Sequence, residues 1–210
     1  VQGIRYEGSQ IVPPADTDIA AEISKIDSIQ PKGTEWEVLD DSIFNSYVKA
    51  TSALATTSKD VKIVYSAMHG VGTEVLTKVF ALAGFDAPIL VSQQAEPDPD
   101  FPTVAFPNPE EPGAIDLSLE TARSHGADIV IANDPDADRC AAAINDPKVG
   151  WRMLRGDELG VVLGEWIARS YKHGTFGNSI VSSSALRKIA AHYGIDFKEV
   201  LTGFKWLAKI

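Results

Sequence analysis

Apolar positions along this chain change their spacing again and again. Two short, nearly continuous apolar runs, VKIVYS at 61–66 and DIVIA at 128–132, read as buried parallel strands. Between them the apolar residues fall three and four apart, which predicts helices over 73–83 and 113–125. Gly84 and Gly126 follow these stretches and supply the left-handed residue that commonly closes a helix. With a further strand over 88–92, residues 61–132 spell a βαβαβ unit.

The flanks are less regular. Residues 4–12 read as a strand, and Thr17 as the N-cap of a helix carrying Ile19, Ile23 and Ile26 on one face, broken by Gln30-Pro31-Lys32-Gly33. A second helix near 41–55 starts at Asp41-Ser42 and is expected to bury Phe44, Val48 and Leu54. The polar stretch Thr56 to Asp60 then marks a candidate boundary. Beyond 155, Gly156-Asp157 opens a helix with Leu159, Val162, Leu163, Trp166 and Ile167 on its apolar side, followed by a strand at 179–183, a helix at 184–193 and a strand at 197–201. The fold class is therefore α/β with largely parallel pairing. The 93–112 stretch has six prolines in twenty residues and exceeds an ordinary connection, so it is either a functional or a flexible loop.

Composition narrows the functional classes. With 210 residues, 44% of them hydrophobic, the chain has material for one large or two modest cores. No apolar run reaches the roughly 18 residues a membrane helix needs, and the start has no signal-type core, so no membrane partner is expected. Nineteen basic against 29 acidic residues give a net charge of −10, which leaves no general cationic surface for nucleic acid. A lone cysteine, Cys140, rules out an internal disulfide and suits a reducing, cytoplasmic setting. The chain opens on Val1 and stops at Ile210 inside a new element, and both ends read as cuts through a longer protein.

Candidate chemistry concentrates where DIVIA runs into Asn133-Asp134-Pro135-Asp136-Ala137-Asp138-Arg139. Open α/β sheets place ligands at the C-terminal ends of their strands. Fully extended, Asp134 to Asp138 would span about 13 Å, too far for three oxygens to share one ion with bonds of about 2.1 Å, so the loop must curl. Curled, Asp134, Asp136 and Asp138 offer hard anionic oxygens without sulfur or imidazole, the set that suits Mg²⁺, Mn²⁺ or Ca²⁺. A solvated acidic turn has the same composition and is the competing reading. No lysine lies between the acids, and Arg139 directly after them suggests a phosphorylated ligand.

Other segments carry weaker signals. Ser66-Ala67-Met68-His69-Gly70-Val71-Gly72 sits at a strand-to-helix junction, where its glycines either bring N–H groups to a phosphate or simply make a tight turn. His69 could line a cleft, and Lys205 in Thr202-Gly203-Phe204-Lys205-Trp206 could equally be a solvated lysine. Asp157 and Glu158 read as helix-capping charges instead of an acid/base pair. The four tryptophans are too scattered for a stacking platform, so core or interface packing accounts for them.

DPDADR after an apolar strand resembles the metal loop of the α-D-phosphohexomutase superfamily, the phosphoglucomutase/phosphomannomutase enzymes. SAMHGVG, FPNPEEPGAIDL, RGDELG and LTGFKW resemble the same superfamily in the same order, so the likeness spans nearly the whole chain. NPEEPGA and NDPDADR are most similar to the branch containing bacterial phosphomannomutase-like and animal phosphopentomutase-like proteins. The resemblance implies related three-layer α/β domains with mixed, largely parallel sheets. Residues 1–38 would be the end of the first domain, 39–155 the second with the metal loop, and 156–210 the start of the third. It implies that Asp134, Asp136 and Asp138 hold Mg²⁺, that Arg139 is catalytic and steadies the transferring phosphoryl group, and that Thr202, Gly203 and Lys205 bind substrate. The implied activity is a phosphotransferase of the isomerase class, acting between sugar 1-phosphates and 6-phosphates through a phosphoserine and a sugar bisphosphate activator.

The sequence also departs from that pattern. No TASHNP-like phosphoserine loop occurs, and SSSAL at 182–186 follows the wrong strand and lacks His-Asn-Pro. The superfamily's sugar-recognition loop and its fourth domain would lie beyond Ile210, so this chain alone is expected to be inactive. A haloacid dehalogenase-type phosphatase also uses Asp-x-Asp after a parallel strand, but Asp138 stands where that family has an uncharged residue. A calcium loop of the EF-hand kind is disfavoured because Arg139 occupies the sixth place, where that loop needs glycine.

Overall fold

Val64, Tyr65 and Ser66 have almost no exposure, because the first strand has a neighbouring strand on each side. A computed structural model describes residues 11–29, 31–55, 59–171 and 173–210. Among these, Val38–Leu159 forms one compact unit, and Gly160–Ile210 groups with the chain up to Glu37 in the other. The strand expected over 4–12 lies almost entirely outside the described residues, as do Gln30 and the polar residues 56–58.

In the unit Val38–Leu159, β1 (Ile63–Ser66) pairs in parallel with β2 (Ile89–Leu90) on one side and β3 (Ile129–Asn133) on the other. Two antiparallel strands, β4 (Cys140–Asp146) and β5 (Gly150–Met153), complete a mixed sheet in the order β2-β1-β3-β4-β5. The flanking helices are α2 (Ser42–Ser52), α3 (Gly72–Ala83) and α4 (Asp116–His125). Gly84 and Gly126 close α3 and α4 at φ 82° and 59°, the left-handed conformation expected of them. Val64, Val91, Ile115, Val130 and four alanines form the core, with Trp151 and Met153 packed against it.

The β4–β5 hairpin was not expected from the pattern. Its inner strand is built on Ala141, Ala142 and Ala143, which carry little strand propensity yet are buried beside β3. Helix α4 begins three residues later than its pattern suggests. Gly113 at φ 84° starts a turn in which the Ala114 and Asp116 N–H groups bond the Glu111 and Gly113 carbonyls. Helix α2 buries Val48 but ends at Ser52, which leaves Leu54 exposed.

In the other unit, α1 (Ala15–Ile23) starts before Thr17, because Pro14 takes the cap position and Thr17 falls inside the first turn. Ile23 and Ile26 are exposed. Helix α5 (Gly156–Tyr171), which starts in the unit Val38–Leu159 and continues into this one, buries Gly164 and Ala168; of the expected stripe Leu159 and Trp166 are half-buried, and Val162, Leu163 and Ile167 are exposed. Close packing explains it, since a Cβ on Gly164 would stand 2.4 Å from Leu186 Cδ1. Strand β6 (Thr175–Ser179) pairs in parallel with β7 (Asp196–Val200), flanked by α6 (Ala185–Tyr193) and the short α7 (Phe204–Leu207). β6 lies four residues before its expected place, because the apolar Ile180 and Val181 that suggested a strand are exposed. Among the described residues no helix is long and apolar enough to cross a membrane.

Candidate metal centre

Because β1, β2 and β3 run parallel, the segments that follow them gather at one edge of the sheet, and the acidic loop is one of these. The loop curls as its spacing requires. The Ala137 N–H bonds the Asp134 carbonyl, with Ala137 in the left-handed region at φ 58°. Asp134, Asp136 and Asp138 then each present a carboxylate oxygen, all within 4.8 Å of one another. On one octahedral Mg²⁺ with bonds of about 2.1 Å, opposite oxygens stand about 4.2 Å apart and adjacent ones about 3.0 Å, so the three carboxylates must draw inward to share an ion.

The three acids are not equivalent. Asp134 is only 1% exposed, whereas Asp136 and Asp138 are open to solvent. Burial pushes the Asp134 carboxyl up, but hydrogen bonds from the Arg139 backbone N–H at 2.9 Å and its Nε at 2.7 Å, with a further bond to Asp138, hold it below the usual carboxylate range. Asp138 is pushed up, first by that shared hydrogen bond and then by desolvation and the charges of Asp136 and Asp134. Arg139 keeps 56% of its side chain exposed and also lies 3.6 Å from Asp138. It is thus held by the acidic loop and still open to the surface.

Two residues that the motif reading passed over close the loop at its base. The Tyr65 hydroxyl donates to Asn133 Oδ1 at 2.9 Å, and Asn133 Nδ2 donates to the Arg139 carbonyl at 2.6 Å, tying both ends of the loop together. Burial, with a smaller push from Cys140, raises the Tyr65 hydroxyl to about 12, so it remains a donor at any ordinary pH. Asn133 stood within the quoted motif and could have been singled out; Tyr65 carried no signal beyond strand periodicity.

The 67–72 turn packs directly on the acidic loop. Val71 N–H donates to the Pro135 carbonyl at 2.9 Å, and a Cβ on Gly70 would meet Pro135 Cα at 2.2 Å. The N–H groups of Met68, His69, Gly70 and Val71 are taken up by Ser66, Gln94, Ala67 and Pro135, as a tight turn requires. His69 is 4% exposed and bonds Thr103, so it lines no open cleft. Glu158 accepts from the Arg155 backbone N–H at 2.9 Å, the capping role expected at the start of α5, and also pairs with Arg152.

Thr202, Gly203 and Lys205 belong to the other unit. Gly203 stands at φ 127°, a conformation that favours glycine, and leads into α7, where the Lys205 ammonium lies 5.9 Å from the Trp206 ring centre.

Residues 44–150 match domain II of the phosphoglucomutase/phosphomannomutase family, described as alpha/beta/alpha, and residues 155–210 match its domain III. A Haemophilus influenzae protein named "Probable phosphomannomutase" is 47% identical over 210 residues, covering 97% of this chain and 43% of that protein. The Mus musculus phosphopentomutase is 39% identical over 227 residues, covering 95% of this chain and 36% of that protein. A phosphoglucomutase/phosphomannomutase family protein from Burkholderia thailandensis has the same fold, with a TM-score of 0.68 at 20% identity over 80% of this chain and 35% of its own. The chain spans less than half the length of these curated relatives.

Proposed function

Since this chain belongs to the phosphoglucomutase/phosphomannomutase family, we propose that it is part of a sugar phosphomutase, an isomerase that moves a phosphoryl group between two positions of one sugar. In its finer form the reading is interconversion of sugar 1-phosphate and 6-phosphate, with glucose or mannose as the sugar. The route is a phosphoserine supplied by the longer protein and a sugar bisphosphate that also serves as activator. Residues 1–38 would end the first domain of that protein, 39–155 form the second and 156–210 open the third, in a cytoplasmic enzyme. Relatives named as phosphomannomutase and phosphopentomutase support the coarser statement and leave the sugar open.

One observation carries this reading: three carboxylates converge at the C-terminal end of β3, with an arginine held against them and still exposed. Their all-oxygen chemistry fits Mg²⁺, held by Asp134, Asp136 and Asp138. Bound there, the ion would neutralise charge on a phosphoryl group in transfer. The chain's own residues do the rest. Asp134 anchors Arg139 by two hydrogen bonds, and Arg139 presents its guanidinium to the transferring group as a planar donor pair. Thr202, Gly203 and Lys205 are assigned to binding the phosphosugar.

The test is an assay of the longer protein with Mg²⁺ and a sugar bisphosphate on glucose 1-phosphate, mannose 1-phosphate and ribose 1-phosphate. Turnover of at least one, abolished by chelation, is expected; no turnover of any would overturn the assignment. Arg139→Lys should lower kcat/KM about tenfold or more, because a point-charge ammonium reproduces neither the paired contact to phosphate nor the Nε bond to Asp134, although the backbone N–H bond to Asp134 stays. Unchanged kinetics would reduce Arg139 to a structural role.

A further inference from the structure

Met68 and His69 both adopt positive φ, 49° and 63°, in the turn that presses Gly70 and Val71 against Pro135. Neither residue is glycine, so this conformation persists only where the surroundings over-determine it. Those surroundings come from the proline-rich stretch. Gln94 Oε1 accepts from Ser66 Oγ at 2.6 Å, and Ser66 Oγ accepts from the Met68 N–H at 3.0 Å. Gln94 Nε2 donates to Thr103 Oγ1 at 2.8 Å, and Thr103 Oγ1 lies 2.8 Å from His69 Nε2. The backbone doubles these ties, since His69 N–H donates to the Gln94 carbonyl and Asp98 N–H to the His69 carbonyl, each at 3.0 Å. Phe101 stands edge-on to the His69 ring.

The polarity of this network is set from its buried end. Ser66 Oγ accepts from the Met68 N–H and donates its one hydrogen to Gln94 Oε1, which leaves the Gln94 amide nitrogen facing Thr103. The Thr103 hydroxyl thus bridges the Gln94 amide and His69 Nε2. Ser66 and Gln94 are each 1% exposed, and Thr103 ties this buried pair to the surface.

We infer that Thr103, acting through His69, is a positioning residue for the carboxylate loop 134–138. Thr103 is not among the metal-loop residues, and its hydrogen bonds run to His69 and Gln94. Its hydroxyl holds the His69 ring, His69 holds the strained turn, and the turn holds Pro135 through the Val71 bond and the Gly70 contact. The proline-rich stretch is then a lock on the acidic loop instead of a flexible connection. The inference rests on reading 134–138 as a metal loop for its consequence in affinity, but not for its consequence in loop order.

Thr103→Val keeps the volume and removes the hydroxyl; Thr103→Ser restores it. In the 210-residue chain without metal, amide exchange of Val71, Ala137 and Arg139, whose N–H groups bond Pro135 and Asp134, should quicken about tenfold in Thr103→Val and return in Thr103→Ser. The Leu154 amide, bonded to Ala142 in the sheet, should not change. Mn²⁺ affinity, read by electron paramagnetic resonance well below the melting temperature, should fall about fivefold, as for residues coupled to a site without touching its ligand. A merely structural Thr103 would lower the melting temperature but leave the 71, 137 and 139 amides and the Mn²⁺ affinity of the folded chain as they were, and that result would overturn the inference. If the exchange pattern appears but the unsubstituted chain binds no Mn²⁺, positioning stands and the metal reading falls.

Discussion

Asp136→Ala in the longer protein is expected to lower Mg²⁺-dependent turnover at least about 100-fold while shifting the melting temperature by no more than about 2 °C. The split between the two effects follows from where the residue sits. Asp134 is buried and holds Arg139 through both oxygens, so its loss would confound the site with the fold. Asp138 shares a hydrogen bond with Asp134. Asp136 is exposed at the loop's apex beside the left-handed Ala137, so its carboxylate can be deleted without orphaning a buried partner. Turnover measured across a Mg²⁺ titration decides the matter: a large fall only partly recovered at high Mg²⁺ marks a lost ligand, and near-normal turnover with the same Mg²⁺ dependence would sink the assignment.

How much of this site could be read from the sequence depends on which interactions are local. The acidic loop was legible because its chemistry is contiguous, three carboxylates and an arginine within six residues, after a strand whose apolar run is equally plain. The glycine ends of α3 and α4 were legible for the same reason, since one residue type satisfies one local geometry. What escaped depends on contacts distant in sequence. Tyr65 reaches Asn133 across neighbouring strands, and Thr103 reaches His69 across 34 positions. Nothing in a one-dimensional pattern distinguishes these from ordinary strand and loop residues. The β4–β5 hairpin was hidden because burial beside β3 favours alanine, which signals no strand. Strand β6 was misplaced because Ile180 and Val181 are apolar but exposed, so hydrophobicity pointed past the true ladder.

Two of the quoted motifs turn out to be parts of one object. SAMHGVG and NDPDADR were read separately, one as a turn and the other as a ligand loop, yet the structure interlocks them at Gly70 and Pro135. Glycine at 70 is required by space, since the atoms a side chain would strike are the Cα, carbonyl carbon and carbonyl oxygen of Pro135, at 2.2 to 2.5 Å. Backbone cannot swing aside as a flexible side-chain tip can, and Pro135 is further fixed by its ring and by the Val71 hydrogen bond.

Gly70→Ala should therefore be among the most damaging single-methyl additions in this chain. Either the 67–72 turn retreats, breaking the Val71 to Pro135 bond and disturbing the His69 network, or the acidic loop is pushed outward with its carboxylates splayed. Both routes force backbone shifts in a packed region, so a destabilisation of about 3 kcal/mol is expected, a fall of about 10 °C in the melting temperature of a unit this size. Gly126→Ala is the matched control. It sits at φ 59° with nothing near its Cβ position, so it should cost only the strain of a left-handed alanine, about 1 kcal/mol. Thermal unfolding of the two variants beside the unsubstituted chain gives the comparison. Equal melting temperatures for Gly70→Ala and Gly126→Ala would mean that the turn and the acidic loop move independently, and the interlock on which the order of the three carboxylates depends would have to be given up.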